Sequence, residues 1–143
     1  MSNESSLQRF IDAQETSYPT ALAEIKQGRK QSHWMWYIFP QLQGLGMSST
    51  SQYYGLKDAA EAEQYAKHPL LSQRLLTLCD ALLELKSSNA TTIMGSPDDV
   101  KLKSSMTLFA SLPGTNPIFQ RVLDKFFQGS QDTNTLRLLG RQS

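Results

Sequence analysis

The residues best suited to chemistry cluster early in the chain. Ser32-His33-Trp34-Met35-Trp36-Tyr37-Ile38-Phe39-Pro40-Gln41 holds both tryptophans, the first of two histidines and four aromatic rings within six positions. A histidine beside two indoles can serve as a general base or a hydrogen-bonding clamp, because imidazole titrates near neutrality. It can equally sit at a helix N-terminus, satisfied by a neighbouring backbone group. Trp34, Trp36, Tyr37 and, further on, Tyr54 offer stacking faces, and Gln41 offers an amide. The following stretch, Gln41-Leu42-Gln43-Gly44-Leu45-Gly46-Met47-Ser48-Ser49-Thr50-Ser51, sets two glycines before four hydroxyl residues. Backbone amides in such a loop can approach an anion, with Ser48 and Ser51 as further contacts. No strand pattern precedes it and no Gly-Lys-Ser/Thr follows, so the match to a phosphate loop is poor. A tight connector whose hydroxyls cap the helix carrying Tyr53 and Tyr54 accounts for the same residues.

A second polar group lies in Asp98-Asp99-Val100-Lys101-Leu102-Lys103-Ser104-Ser105-Met106-Thr107. Ser105 shares a helix face with Leu102, Met106 and Phe109, which turns a hydroxyl toward the core. Small residues there permit close helix approach. Alternatively Ser104 and Ser105 form the polar wall of a pocket, with Lys101 at its mouth. Asp98 and Asp99 suit a first helical turn, and the spacing lets Asp99 pair with Lys103. His68, just before Pro69, reads as a solvent-facing turn residue. Cys79 reads as a buried thiol, since nothing near it in sequence lowers its pKa. Lys26, Arg29 and Lys30 suit a helix C-terminus, where cations complement the dipole. Neither histidine has a carboxylate or cysteine at ligand spacing, so no metal is expected, and no cofactor is implied.

The chain has 143 residues, with 14 Lys plus Arg against 13 Asp plus Glu and a net charge of +1. That near-neutrality argues against a nucleic-acid partner. The single cysteine excludes an intramolecular disulfide framework. No apolar run approaches the roughly 20 residues of a membrane span, and the first residues carry no apolar signal segment. The expectation is one soluble cytoplasmic domain over residues 1–143, frayed at 1–6 and 142–143.

The elements that must position these residues read as helices almost throughout. Leu7, Phe10, Ile11 and Gln14 fall at helical spacing, and Pro19 suits the first turn of a helix that Gly28 stops. Between 68 and 86, Leu71, Leu75, Leu78, Leu82 and Leu85 form an apolar stripe. Ser96-Pro97 reads as a cap and N1 proline for a helix striped by Leu102, Met106 and Phe109. Asn116-Pro117 repeats the device before a helix stopped by Gly129. Asp132 caps a last helix through Leu139. The fold class is therefore an all-α, multihelical, bundle-like domain. Residues 33–39, apolar on every azimuth, predict a short buried central helix of about two turns, capped by Ser32 and ended by Pro40.

These stretches, together with Tyr-Tyr-Gly at 53–55, His-Pro-Leu-Leu at 68–71, Asp-Asp-Val-Lys-Leu-Lys-Ser-Ser-Met-Thr-Leu-Phe at 98–109 and Asp-x-x-Thr-Leu at 132–136, resemble the bacterial family DUF1810, a domain of unknown function whose members are sometimes labelled calpastatin. The resemblance spans about 7–139. It implies a multihelical fold with a short buried central helix, and no catalytic residues, cofactor or substrate. Calpastatin-type inhibitors are disordered until bound, which the strong caps and aromatic core here contradict.

Two functional readings follow. In the first, a small polar or nucleotide-like ligand sits between Trp34, Trp36, Tyr37 and Tyr54, with His33, Gln41, Ser48, Ser51, Lys101, Ser104 and Ser105 as polar contacts. Its catalytic version is hydrolysis of a glycosidic or ester bond, with His33 or an aspartate as base. In the second, the aromatic segment is core and the protein is a non-enzymatic interaction or regulatory module.

Overall fold

Leu7, Phe10, Gln14, Ala21 and Ile25 stay in phase along one helical face, and all five are buried. In the computed structural model, which describes residues 3–141 and the side chains of 7–140, they lie on a single helix, α1 (Asn3–Lys26). The break expected at Pro19 does not occur. Pro19 removes one hydrogen bond of the ladder, but its ring is exposed, and the stripe on both sides of it is buried, much of it against the fifth helix. Burial of that continuous face outweighs a local cost of about 3 kcal/mol. Gly28, at φ 79°, turns the chain just past α1. Residues 3–6, expected to fray, belong to α1, whereas residues 1–2 and 142–143 lie outside the described residues.

Eight more helices follow among the described residues: α2 (Met35–Ile38), α3 (Ser49–Tyr54), α4 (Ala59–Lys67), α5 (Pro69–Glu84), α6 (Ala90–Met94), α7 (Asp98–Ala110), α8 (Ile118–Phe127) and α9 (Thr133–Arg141). No described segment is a strand, and the all-α class holds. One parallel bridge joins Leu42 to Leu56, with the Gln43 and Leu56 amides donating across it at 2.7 and 2.9 Å. It pins the loop before α3 to the chain after it. α5 packs on α1 and α8, while α7 packs on α8, α6, α9 and α4. Seven residues of α7 are buried, on nearly every side, which makes it the helix most enclosed by others. Buried apolar residues of α1, α2 and α4 to α8, with Leu42 and Leu56 flanking α3, form one cluster, and Tyr54 of α3 and Leu138 and Leu139 of α9 pack against it.

Several helix ends differ from expectation. His68 is no solvent-facing turn residue: its Nδ1 accepts from the Leu71 amide at 3.3 Å and caps α5. Pro97, not Ser96, precedes the first residue of α7. The expected Asp99–Lys103 pair is absent. Asp99 instead accepts from the Thr91 hydroxyl at 2.6 Å and the Val100 amide at 2.8 Å, and Lys103 lies over the Phe127 ring. Asp132 caps α9 as expected, accepting from the Thr135 amide at 3.1 Å. Cys79 is buried against the Met106 sulfur at 3.8 Å, and burial pushes its thiol pKa up.

The C-terminal end of α5 is closed by a distant side chain. Lys125 of α8 donates to the carbonyls of Leu82 (3.1 Å), Leu83 (2.9 Å) and Leu85. The Leu83 and Leu85 carbonyls are acceptors left open at a helix end, whereas the Leu82 carbonyl also accepts from the Leu85 amide at 3.2 Å, and burial pushes the Lys125 pKa down. Lys125→Met keeps the stem but strands the Leu83 and Leu85 carbonyls, and is expected to cost about 1–3 kcal/mol. Urea unfolding checks this as a lower midpoint at unchanged slope.

Candidate functional site

The aromatic segment is positioned by a carboxylate on α1. Glu24 is almost fully buried. Its Oε1 accepts from the Gln31 amide (2.8 Å), the Ser32 amide (3.0 Å) and the Trp34 indole Nε1 (3.0 Å), and its Oε2 accepts from the Ser32 hydroxyl (2.6 Å). Burial raises its pKa. The four hydrogen bonds outweigh that and bring it from 4.5 down to about 2. Ser32 is thereby committed to Glu24 and does not cap the next helix. α2 is accordingly one turn, Met35–Ile38, not the two expected, with Trp34 at its N-cap position. Nor is it enclosed on every side: Met35 and Ile38 are buried, whereas Trp36 and Tyr37 reach the surface.

Beneath the loop carrying both glycines lies a cleft lined by Trp36, Gln41, Leu42, Gly46, Ser51, Tyr54 and Gly55. The space open to a water-sized sphere is about 10 Å³, room for one water molecule. The glycines make it narrow. A Cβ on Gly46 would stand 2.6 Å from Ser51, and one on Gly55 would stand 2.8 Å from the Gln43 backbone. Ser48 accepts from the Ser51 amide at 3.0 Å and caps α3, as the connector reading anticipates. Tyr54 packs on Tyr37 with ring centroids 5.1 Å apart, and burial pushes its phenol pKa up. Lys101 places its Nζ 5.1 Å above the Trp36 ring, while Asp98 holds both Lys101 (3.6 Å) and Lys30 (2.8 Å).

Of the residues expected to meet, Trp36, Gln41, Ser51 and Tyr54 share the cleft, with Lys101 at its aromatic edge. The others do not join them. Trp34 is 1% exposed and faces the core. Tyr37 contributes its ring from behind Tyr54, and its hydroxyl pairs with Ser17 at 2.9 Å. Ser48 is exposed at the start of α3, and His33 is exposed and outside the cleft lining. Ser104 donates to Asp132 at 3.0 Å, tying α9 to α7. Ser105 is sealed in the core, its hydroxyl without a partner. The pocket wall expected from Ser104 and Ser105 is therefore a helix-packing surface. Among the described residues, no three His, Cys, Asp or Glu side chains are placed to hold a metal ion, and no helix is long and apolar enough to cross a membrane.

The DUF1810 family profile, described as a protein of unknown function, matches residues 4–139. The chain belongs to the DUF1810 family. A crystal structure of the conserved hypothetical protein Rv1873 from Mycobacterium tuberculosis is 41% identical, with 94% of this chain and 96% of that one covered at a TM-score of 0.91. No curated protein matches the chain.

Three polar residues that order this DUF1810 site carry no obvious motif. Glu24 is one. Gln14 is another: it is buried, donates to the Tyr37 carbonyl (2.7 Å) and the Tyr65 hydroxyl (3.0 Å), and so holds the end of α2 against α4. Its position in phase with the α1 stripe was the available signal. Lys30, read as a dipole-facing cation, instead folds inward, with its Nζ 4.8 Å above Trp34, on the Ser32 carbonyl and against Asp98.

Glu24→Gln places an amide NH₂ among four donors and is expected to cost on the order of 2 kcal/mol at neutral pH. Because the folded pKa lies below the unfolded one, the carboxylate stabilises the fold fully above pH 4.5 and loses that contribution as pH falls toward about 2. The stability gap between wild type and variant therefore narrows across that window, which denaturant titrations at stepped pH would register. Equal midpoints at neutral pH would refute the role given to Glu24.

Proposed function

We propose that this DUF1810 protein binds a small planar anion, nucleotide-like in chemistry, on the open face of Trp36. The observation that carries the reading is that Trp36 is the indole left accessible, with the Lys101 ammonium 5.1 Å from its ring and Gln41, Ser51 and Tyr54 beside it. A base stacks on the indole, and a phosphate or carboxylate finds Lys101. With room for a single water, the cleft does not enclose such a ligand. The contact is a surface stack, weak and salt-sensitive. Binding alone is proposed: His33 is outside the cleft, and Asp98 is engaged by two lysines.

The interaction-module reading draws on Met47 and Tyr53, 85% and 60% exposed on the loop and helix that border the cleft. Apolar side chains so placed suit a protein surface better than a metabolite.

Adenosine monophosphate, adenosine and inorganic phosphate distinguish the readings in a fluorescence titration. Trp34 is shielded by the core, so quenching reports Trp36. Saturable quenching by the nucleotide is expected, abolished in Trp36→Phe and weakened about tenfold in Lys101→Met. No saturable response at millimolar nucleotide would leave docking through Met47 and Tyr53 as the reading.

A further inference from the structure

A larger cavity lies apart from the aromatic segment. The second half of α4, the first half of α5 and the connection from α7 into α8 enclose about 260 Å³. Its floor is Leu75, Leu112 and Phe119, all buried, and its sides are Ala66 and Leu76. A core cavity of about 150 Å³ admits benzene, and drug-sized ligands occupy roughly 300–1,000 Å³. The space therefore suits one ring or one branched chain with a small polar head.

The rim states what that head must be. Glu63 and Lys67 stand one turn apart on α4, both line the cavity, and neither forms an ion pair among the described residues. Residues at this spacing have Cβ atoms about 6 Å apart. Asn116, also at the lining, spends its Oδ1 on the Ile118 amide at 2.9 Å, which leaves its NH₂ as the donor it can offer a ligand. A monoanion entering head-first meets Glu63, and a monocation meets Lys67. A molecule with both charges on one carbon satisfies each: its ammonium faces Glu63, and its carboxylate faces Lys67 and the Asn116 amide.

We propose that this cavity binds a free apolar α-amino acid of leucine or phenylalanine size, independently of the Trp36 surface. The side chain rests on Leu75, Leu112 and Phe119, and the zwitterion bridges the α4 pair. Charge complementarity of both signs argues for this occupant over a lipid or a simple acid.

The test is amide-shift titration of the full chain with L-phenylalanine and L-leucine, against 3-phenylpropanoate, phenethylamine and glycine. Saturable shifts of Leu75 and Phe119 are expected with both amino acids, without movement of the Trp36 indole signal. The comparators lacking ammonium, carboxylate or side chain are expected to bind about tenfold more weakly or not at all. Lys67→Met and Glu63→Gln should each weaken phenylalanine about tenfold, and Ala66→Met should block it by filling the cavity. Both charge changes lie outside the core, so a normal unfolding midpoint confirms that the fold persists. No saturable response to either amino acid overturns the proposal, as does 3-phenylpropanoate or phenethylamine binding as tightly as phenylalanine. Shifts confined to Trp36 would assign the binding to the aromatic surface and also overturn it.

Discussion

One buried carboxylate sets the geometry around the aromatic segment. A charge taken out of water must be compensated by hydrogen bonds or it destabilises the fold. Glu24 is compensated entirely by the chain that follows α1: two amides, a hydroxyl and an indole N–H converge on it from residues 31–34. Those bonds dictate where the chain turns, and therefore where α2 begins and which tryptophan faces inward. The Lys30 ammonium then covers the Trp34 ring and meets Asp98 at the start of α7. Through these contacts, an acid near the end of α1 fixes the approach of a helix more than 70 residues further on.

The same device recurs at smaller scale. Arg9 of α1 donates to the Tyr53 carbonyl (2.8 Å) and the Gly55 carbonyl (3.1 Å) at the end of α3, and pairs with Glu61 of α4 at 3.0 Å. Gln14 reaches α2 and α4, and Asp132 ties α9 to α7 through Ser104 and Thr107. Short helices such as α2 and α3 have too few internal bonds to persist alone. Each is held at its termini by polar side chains from long helices. The apolar cluster supplies the driving force, and these contacts select one arrangement from the many that would bury the same area.

That division explains what could be read from the residues. Stripes and caps are local, so the α5 leucines, the Asn116-Pro117 start of α8, the Asp132 cap and the Ser48 connector were all legible. Pro19 misled because a local rule was outweighed by a face that is continuous across it. The span of α2 was overestimated because Ser32, a good cap by type, is claimed by Glu24. Candidate-site residues fared worse for the same reason. Ser104 looks available until Asp132, 28 positions later, folds beside it. Hydroxyls, amides and lysines are ambiguous in sequence because their partners lie elsewhere. The aromatic concentration at 34–39 was visible, but not the fact that it divides between a core-facing Trp34 and a surface-facing Trp36.

The one thiol of the chain has a further consequence. Cys79 is shielded twice: the core excludes reagent, and burial holds the sulfur in its unreactive protonated form. Modification of Cys79 therefore counts openings of the core between α5 and α7, and the native molecule carries its own clock for that motion.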